Sequence, residues 1–196
     1  MRVVDPIDTG PARRSARRSQ TDEKINSAVI SLIRRGGPAA VTIDAVATEC
    51  GVAKTTIYRR YDDRAELISG VARQLAAPPE QDHPLTQEGL GALLADVRRN
   101  FEELVGLGAI GGLLGSHSRE LDDWHERLIT PNLARLREFF RRGVAEEVLV
   151  RDFDYEQLIE MILGGLFASD ALRENVPEEW STNLIRLVWP TINATG

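Results

Sequence analysis

The 196-residue sequence holds one cysteine, three histidines and no long apolar run. A single cysteine, Cys50, excludes an internal disulfide and a metal site built from cysteines. No stretch approaches the roughly 20 apolar residues that a membrane-spanning helix requires. No apolar segment follows the N-terminal charges, as a secretory signal would require. We therefore expect a cytoplasmic protein without membrane contact.

The sequence also lacks the residue patterns that most enzymes and metal sites display. It contains no Gly-rich phosphate loop, no Ser-His-Asp order and no evident pair of buried carboxylates. The histidines are His83, His117 and His125, and none has a second strong ligand at helical i, i+4 spacing. The acidic residues near His125 are better explained as a solvated helix face. We expect no catalytic residue, no metal and no cofactor.

Charge is distributed unevenly along the chain, whose net charge is −6. Residues 1–77 carry 13 Lys and Arg against 9 Asp and Glu, a balance of +4. Residues 78–196 carry 11 against 21, a balance of −10. A basic third joined to an acidic remainder indicates two tasks in one chain. The basic part suits the phosphates of nucleic acid, and the acidic part keeps the remaining surface away from them.

The stretch TIDAVATECGVAKTTIYRRY, residues 42–61, predicts two short helices joined by a tight turn. The first helix has one apolar face whose residues follow the spacing i, i+3, i+4 and i+7, namely Ile43, Val46, Ala47 and Cys50. Gly51 follows where a helix end usually needs a positive φ. Val52, Ile57 and Tyr61 can anchor the second helix inward. A helix-turn-helix that places its second helix in the DNA major groove has this layout.

The polar face of this second helix and its flanks supply the candidate DNA contacts. Four side chains can reach base edges, namely Lys54, Thr55, Thr56 and Arg59. Four others can hold phosphates, namely Thr42, Tyr58, Arg60 and Arg64. A solvated basic helix face would not explain the glycine, the apolar anchors and the exposed tyrosine together. Arg17 and Arg18 precede the first helix and can enter the minor groove, with a solvated tail as the alternative.

The segment GVAKTTIYRRYDDRAELI resembles the signature of the TetR family of bacterial transcriptional regulators. Members typically read G-V-S-x-x-x-(L/I)-Y-x-(H/Y)-F, then a short polar turn, Lys and an acidic-hydrophobic helix start. The matching positions are Gly51, Val52, Ile57, Tyr58 and Tyr61. Ala53 replaces the usual Ser, Arg60 replaces the usual His, and Arg64 stands where Lys is common. The resemblance implies a homodimeric DNA-binding regulator that holds an effector in a C-terminal helical domain.

Helical periodicity and breakers predict an all-α chain in three parts, without strands or internal repeats. Residues 1–18 are expected to form a flexible basic arm, because they carry arginines and few apolar partners. Residues 19–78 are expected to form a helix-turn-helix domain whose first helix runs from about Asp22 to Arg35. Prolines mark its end, and residues 79–196 are expected to form a helical bundle for ligand binding and dimerisation.

Bulky apolar residues on different helices of the third part are candidates for an effector cavity, because bundles build ligand sites between helices. They are Phe101, Leu104, Trp124, Phe140, Met161 and Phe167. Taken singly, each is better explained as core, and the family resemblance favours the cavity. The last two predicted helices have a surplus of apolar surface, which predicts a homodimer interface. Its candidate residues are Leu158, Ile162, Gly165, Leu166, Leu184, Leu187 and Val188; an intramolecular helix pair is the alternative.

The sequence thus predicts a transcriptional repressor that a small apolar or amphipathic effector releases from a pseudo-palindromic operator. Two alternatives stay open. One is a DNA-binding regulator without an effector, whose second domain only dimerises or binds a protein, and a filled core would favour it. The other is an enzyme with an appended helix-turn-helix, which turnover of a bound ligand would favour.

Overall fold

The computed structural model describes residues 10–75, 81–104, 106–114, 119–173 and 176–194. Within these ranges the structure is helical without a strand, and Leu149 and Asn193 form an isolated bridge. The helices are α1 (Gly10–Gly36), α2 (Ile43–Cys50), α3 (Lys54–Tyr58), α4 (Arg64–Ala72), α5 (Gln87–Leu104), α6 (Leu107–Leu114), α7 (Asp122–Trp124), α8 (Thr130–Ala145), α9 (Tyr155–Arg173) and α10 (Trp180–Ile192). A π-helical turn, His125–Ile129, joins α7 to α8. The all-α prediction is confirmed, and no helix in the described part has the length and apolarity to cross a bilayer.

Capping residues set the ends of the short helices near the N-terminus. Thr42 Oγ1 accepts a hydrogen bond from the amide of Ala45 at 3.0 Å, which starts α2. Gly51 closes α2 with φ 66°, a backbone conformation that strains residues with a Cβ atom. The carboxylate of Asp63 accepts from the amide of Glu66 at 2.8 Å, which starts α4. These local interactions confirm the predicted helix ends around the turn.

The first helix begins at Gly10, well before its predicted start at Asp22. The prediction of a flexible arm over residues 1–18 is therefore wrong for residues 10–18, and residues 1–9 lie outside the described residues. Pro11 stands in the first turn, where a missing amide proton breaks no hydrogen bond. The Ala and Arg residues that follow are good helix formers, and no breaker occurs before Gly36. Propagating a helix that core packing already holds requires no further apolar partners.

One hydrophobic core runs through both the N-terminal and the C-terminal helices. α1 lies against α2, α4 and α6, and contributes three fully buried residues, Ile25, Val29 and Ile33. α5 is the central helix of the remainder and contacts α6, α8 and α10. The large apolar residues of its buried face are Leu90, Leu93, Leu94, Val97 and Phe101. α9 packs on α6 and α8, which leaves its other side toward solvent.

Three polar contacts tie the N-terminal helices to the rest of the molecule, and one of them is the ion pair of Arg73, at the end of α4, with Asp123 of α7 at 2.8 Å. The indole nitrogen of the fully buried Trp124 donates to the carbonyl oxygen of Ile68 in α4 at 2.9 Å. Arg34, at the end of α1, donates to the carbonyl oxygen of Glu103 near the end of α5. The helix-turn-helix segment is therefore attached through α4 and also through α1.

Candidate nucleic-acid interface and associated sites

An apolar underside holds α3 in place. Ile57 is fully buried, and Tyr61, just beyond the helix, is 7% exposed. In α2, Ile43 and Val46 are buried beneath it. The chain turns sharply after Gly51, so α3 crosses α2 with its polar side toward solvent. α3 is thereby fixed on one side and free on the other, as a recognition helix must be.

The solvent side of α3 carries hydrogen-bond donors and one large aromatic side chain. Thr55 and Arg59 are exposed, and Tyr58 is 54% exposed. Lys54 Nζ lies 2.7 Å from a carboxylate oxygen of Asp44, and both side chains are more than half exposed. Exposed pairs of this kind contribute little to stability, so the ammonium can exchange its partner for a phosphate or a base edge. This face can therefore contact a duplex.

Arg60 and Arg64 do not belong to this exposed face. Arg60 Nε donates to Asp22 of α1 at 2.6 Å, and its side chain is only 12% exposed. Arg64 Nε donates to the carbonyl oxygen of Val41 at 2.6 Å, and its Nη2 to that of Pro38 at 2.7 Å. The prediction that these two arginines hold phosphates is wrong for this arrangement. Their guanidinium groups instead tie α1 and the segment before α2 to the helix-turn-helix.

The remaining DNA-contact candidates occupy mixed positions. Thr42 is exposed, and its hydroxyl oxygen serves as the cap of α2. Thr56 is half-buried, and its carbonyl oxygen accepts from Arg60 Nη1 at 3.2 Å. Arg18 is exposed on α1. Arg17 lies in the same helix, and its side chain lies outside the described residues. Contacts from these four residues to DNA stay predictions.

The aromatic residues predicted to line an effector cavity do not converge on one cavity. Phe101 and Phe167 pack together with ring centroids 6.3 Å apart. Phe140 packs instead against Phe153 and Tyr155, at 5.9 and 6.3 Å. Tyr155 and Phe167 are separated by three turns of α9, which is roughly 18 Å along the helix. These residues therefore belong to two separate aromatic clusters.

The other cavity candidates also differ from the prediction. Trp124 is fully buried with its indole nitrogen bonded to Ile68, so it fastens α7 to α4. Leu104 is half-buried against the core. Met161 is 66% exposed and faces away from the interior. The prediction of one cavity lined by all six residues is wrong, because apolar periodicity cannot separate a packed core from a hollow one.

A pocket of about 550 Å³ lies elsewhere, between residues 81–83 of the connector before α5, α5 itself and α8. Its lining residues are Gln81, Asp82, His83, Leu93, Ala134, Arg135, Glu138, Phe139 and Arg142. No residue spacing predicts this pocket, because its walls come from three segments that are distant in the chain.

The predicted dimer residues on α9 and α10 divide into buried, exposed and half-buried groups. Ile162 and Leu166 are 2% and 1% exposed, so the prediction that they meet a partner is wrong: they pack into their own subunit. Gly165 is exposed, and Leu187 is 75% exposed. The half-buried members are Leu158, Leu184 and Val188.

The exposed side of α9 contains Met161, Ala168 and Leu172, which were not predicted to lie at an interface, beside Gly165, which was. Met161, Gly165, Ala168 and Leu172 recur at i, i+4, i+7 and i+11 on its solvent side. Leu172 is 84% exposed. A groove of about 400 Å³ runs between this stripe and α10, with Leu187 on its other wall. We call this surface, from Met161 to Leu172 together with Leu187, the α9–α10 stripe.

Comparison with known proteins places residues 25–71 in the family model of bacterial regulatory proteins, tetR family. The chain is 26% identical over 187 residues to the uncharacterized HTH-type transcriptional regulator YdeS of Bacillus subtilis (strain 168), covering 90% of this chain and 91% of that protein. Its fold is similar to that of a HlyIIR mutant, with TM-score 0.69, 16% identity and coverage of 86% of this chain and 95% of the other. It is also similar in fold to FadR from Bacillus subtilis in complex with stearoyl-CoA, with TM-score 0.60, 14% identity and coverage of 84% and 96%.

The all-helical fold and the exposed face of α3 fit the helix-turn-helix part that the family model describes. The matched residues 25–71 contain that face together with the C-terminal part of α1 and nearly all of α4. The match of residues 25–71 to the family model confirms the resemblance of the GVAKTTIYRRYDDRAELI segment to the TetR family of bacterial transcriptional regulators.

Proposed function

We propose that this regulator is a homodimeric repressor that binds a pseudo-palindromic operator and leaves it when a small apolar or amphipathic effector binds. The exposed apolar side chains carry the proposal. Among the described residues, the large exposed hydrophobics are Tyr58 on α3, and Met161, Leu172 and Leu187 on α9 and α10. Clustered apolar side chains left in water mark contact surfaces. One surface suits DNA, and the other suits a second copy of the chain.

The proposed DNA contacts follow from exposure. Lys54, Thr55 and Arg59 are the donors that an approaching duplex meets first, and they suit base edges. Tyr58 suits the flanking phosphates, as do Thr42 and the arginines before residue 19. In a symmetric dimer, the two α3 helices would enter successive major grooves about 34–36 Å apart.

We assign DNA binding to the basic part of the chain, and effector binding and dimerisation to the acidic part. Residues 19–78 would bind DNA, with the preceding residues adding basic contacts. Residues 79–196 would bind the effector and form the dimer. α1 and α4 both contact residues 79–196. A movement of the DNA-binding part relative to the effector-binding part would therefore strain these contacts.

The α9–α10 stripe supports the dimer. A Cβ atom built at Gly164 or Gly165 would meet nothing within 4 Å in the single subunit. A helix from a second copy therefore finds no obstructing side chain at this point of α9. Pairing α9 and α10 with their symmetry mates would bury the exposed apolar residues in an isologous four-helix contact.

The effector part of the proposal is supported by a pocket and by a relative. The fold neighbour FadR is in complex with stearoyl-CoA, an amphipathic molecule. In this chain the predicted cavity residues form separate aromatic clusters, while the pocket beside α5 and α8 is open. An interior without a ligand site would favour the alternative of a regulator without an effector. Ligand titration in the presence and absence of operator separates the two.

Selection of bound duplexes from a random pool tests the proposal. We expect enrichment of two inverted half-sites with the full-length protein, and weaker enrichment with relaxed sequence preference with Arg59→Ala. Transcription in vitro from a promoter that contains the selected site should fall as protein is added. Failure to enrich any motif, or enrichment of a site without two-fold symmetry, would contradict the proposal. A rise in transcription would make the protein an activator.

A further inference from the structure

The pocket beside α5 and α8 has a small-molecule size and mixed walls. Its volume of about 550 Å³ falls within the range of about 300–1,000 Å³ typical of ligand sites. Leu93, Ala134 and Phe139 form its apolar wall, and Gln81 lies on its polar side. The pocket shares no lining residue with the exposed face of α3 or with the α9–α10 stripe.

A nearly buried ionic cluster lies at the polar side of this pocket. Asp96 Oδ2 is 3.2 Å from His83 Nε2 and 3.6 Å from Arg135 Nη2. Asp96 Oδ1 is 3.1 Å from Arg99 Nη2. The side chains of His83, Asp96 and Arg135 are 10%, 12% and 16% exposed. Charged groups so far removed from water are destabilising unless their hydrogen bonds are complete.

The hydrogen bonds of this cluster are not complete among the described residues. Arg135 Nε and Nη1 are buried and have no hydrogen-bond partner there, and Asp96 Oδ2 has ion-pair contacts only. Arg99 and Arg135 share the one carboxylate, so the cluster carries an excess positive charge even with His83 neutral. An additional anion would balance that charge and accept from the unpaired guanidinium donors.

The acidic residues of the pocket rim do not supply that anion. Asp82 pairs with Arg142 at 2.7 Å, on the outer side of the pocket. Glu138 pairs with Arg141 at 2.6 Å. Their charges are already balanced, so they would not repel a singly charged ligand. They disfavour ligands of higher negative charge, because each additional charge would lie near two carboxylates.

We propose that this pocket binds a small organic carboxylate with an apolar body. The carboxylate would bond to Arg135 and His83, and the apolar body would lie against Leu93 and Phe139. This assignment uses the apolar wall of the pocket and the positive charge of the adjoining cluster. The unpaired Nε and Nη1 of Arg135 are closed to solvent, so a carboxylate would reach them only after this lining side chain turns toward the pocket. A neutral molecule of the same shape would leave the donors unsatisfied and would bind more weakly.

The site also bears on regulation, a consequence that rests on the proposed function. Residues 81–83 belong to the connector between α4 and α5, and they form one side of the pocket. A ligand bonded to His83 would hold this connector against α5 and α8. α4 belongs to the DNA-reading part, so the occupied pocket would restrict its position and thereby the spacing of the two α3 helices.

Isothermal titration calorimetry on the full-length protein tests the binding. The probes are octanoate, decanoate, phenylacetate and benzoate, with 1-octanol as a neutral ligand of the octanoate shape. We expect at least one carboxylate to bind saturably, and Arg135→Gln to weaken it about tenfold or more, the scale of one charge-assisted hydrogen bond. Arg137→Gln is the matched control, because Arg137 lies on the same helix outside the pocket, paired with Glu156. Equal affinity in wild type and Arg135→Gln, or no saturable carboxylate binding, would overturn the proposal.

A second variant covers the case in which Arg135→Gln fails to fold. Ala134 is exposed at the pocket, so Ala134→Trp should fill it without touching the ionic cluster. We expect an unchanged thermal melt and loss of carboxylate binding; retained binding would overturn the proposal. Operator binding without ligand separates the two proposals. Intact operator binding with no carboxylate binding refutes the pocket alone, and carboxylate binding with no operator binding refutes the proposed function alone.

Discussion

The same residue type has different roles at three neighbouring positions for which the sequence predicts DNA contacts, namely Arg59, Arg60 and Arg64. Arg59 is exposed beside α3, whereas Arg60 pairs with Asp22 and Arg64 bonds to backbone carbonyl oxygens. The donors are visible in the sequence. The acceptors that α1 and the segment before α2 bring to them appear only after folding, which is why two phosphate contacts were wrongly predicted.

Arg59→Ala is expected to relax sequence discrimination without affecting the fold. The side chain is exposed, so its loss removes only what it contacts on DNA. A bidentate contact to a base edge is worth ~1–3 kcal/mol of discrimination. Fluorescence anisotropy against the selected operator and a random duplex measures it. An Arg59→Ala protein that keeps full discrimination would show that Arg59 does not read a base.

Arg64→Ala is expected to behave differently from Arg59→Ala. It removes charge-assisted hydrogen bonds to carbonyl oxygens, which individually contribute about 1.5–3 kcal/mol to stability. Its thermal melt should therefore shift downward. The salt dependence of operator binding by the folded protein should stay as in wild type, because no phosphate contact is lost. A flattened salt dependence with an unchanged melt would restore Arg64 as a phosphate contact.

At the scale of the element, the sequence predicts those helix ends that a single capping residue determines. It does not predict the start of α1, which depends on how far the helix extends along the chain. Thr42, Gly51 and Asp63 act on the amides or carbonyls next to them, so their role is readable from sequence. The start of α1 at Gly10 depends on how far a held helix propagates into Ala and Arg residues without apolar partners. Apolar periodicity gives no information there.

The packing of α2 on α1 includes an ion pair whose contribution depends on pH. Arg35 Nη2 donates to Glu49 Oε2 at 2.7 Å, and Ser31 Oγ donates to Glu49 Oε1 at 3.0 Å. The bond from Arg35, followed by that from Ser31, lowers the pKa of the Glu49 carboxyl below its ordinary value of 4.5. A carboxyl with a lowered folded pKa stabilises the protein above its unfolded pKa. That contribution is lost as pH falls through the folded pKa.

Glu49→Gln is therefore expected to lower the melting temperature at neutral pH. The difference from wild type should close as pH falls from about 7 to about 3, because protonation removes the same interaction from the wild-type protein. Thermal melts across this range measure it. Glu126→Gln is a control, since Glu126 is an exposed glutamate without a hydrogen bond or ion pair among the described residues. A difference that is constant with pH would show that Glu49 acts by packing alone.

At the scale of the whole molecule, the sequence predicted that α9 and α10 are rich in apolar residues but not which of them face outward. Ile162 and Leu166 proved to be core, and Met161 and Leu172 proved to be exposed. α9 is apolar on both sides, so its periodicity does not select one side. The choice depends on where α6 and α8 pack, which only the folded molecule shows.

Leu187→Glu and Met161→Glu are expected to give folded monomers that do not bind operator. Both side chains are exposed in the subunit, so a carboxylate there disturbs only a contact with a second copy. Sedimentation and thermal melts measure association and folding. Gln157→Glu, an exposed change on the same helix, is the control. Ile162→Glu would instead unfold the protein, since Ile162 is 2% exposed.

A native chain that sediments as a monomer at micromolar concentration would refute the dimer.

Communication between the two parts has two physical routes. The Trp124 bond to Ile68 joins α7 to α4, and the Arg34 bond to the Glu103 carbonyl joins α1 to the end of α5. The chain connection after α4 suggests a single route, and the second appears only in the folded structure. A ligand that shifts α5 would therefore act on the DNA-reading part at both of its long helices.

Trp124→Phe is expected to weaken this communication while retaining ligand binding. It removes one buried hydrogen bond, which lowers stability by about 1 kcal/mol, and leaves the pocket residues in place. By thermodynamic linkage, an effector that weakens operator binding must have a lower affinity for the protein when operator is present. The difference in binding free energy is commonly ~1–3 kcal/mol. Octanoate titrations with and without operator measure that difference in wild type, Trp124→Phe, Arg34→Ala and the double variant. We expect a partial loss in each single variant and a larger loss in the double variant, because the two contacts act on different helices. Single and double variants with the full wild-type difference would show that the coupling passes through neither contact.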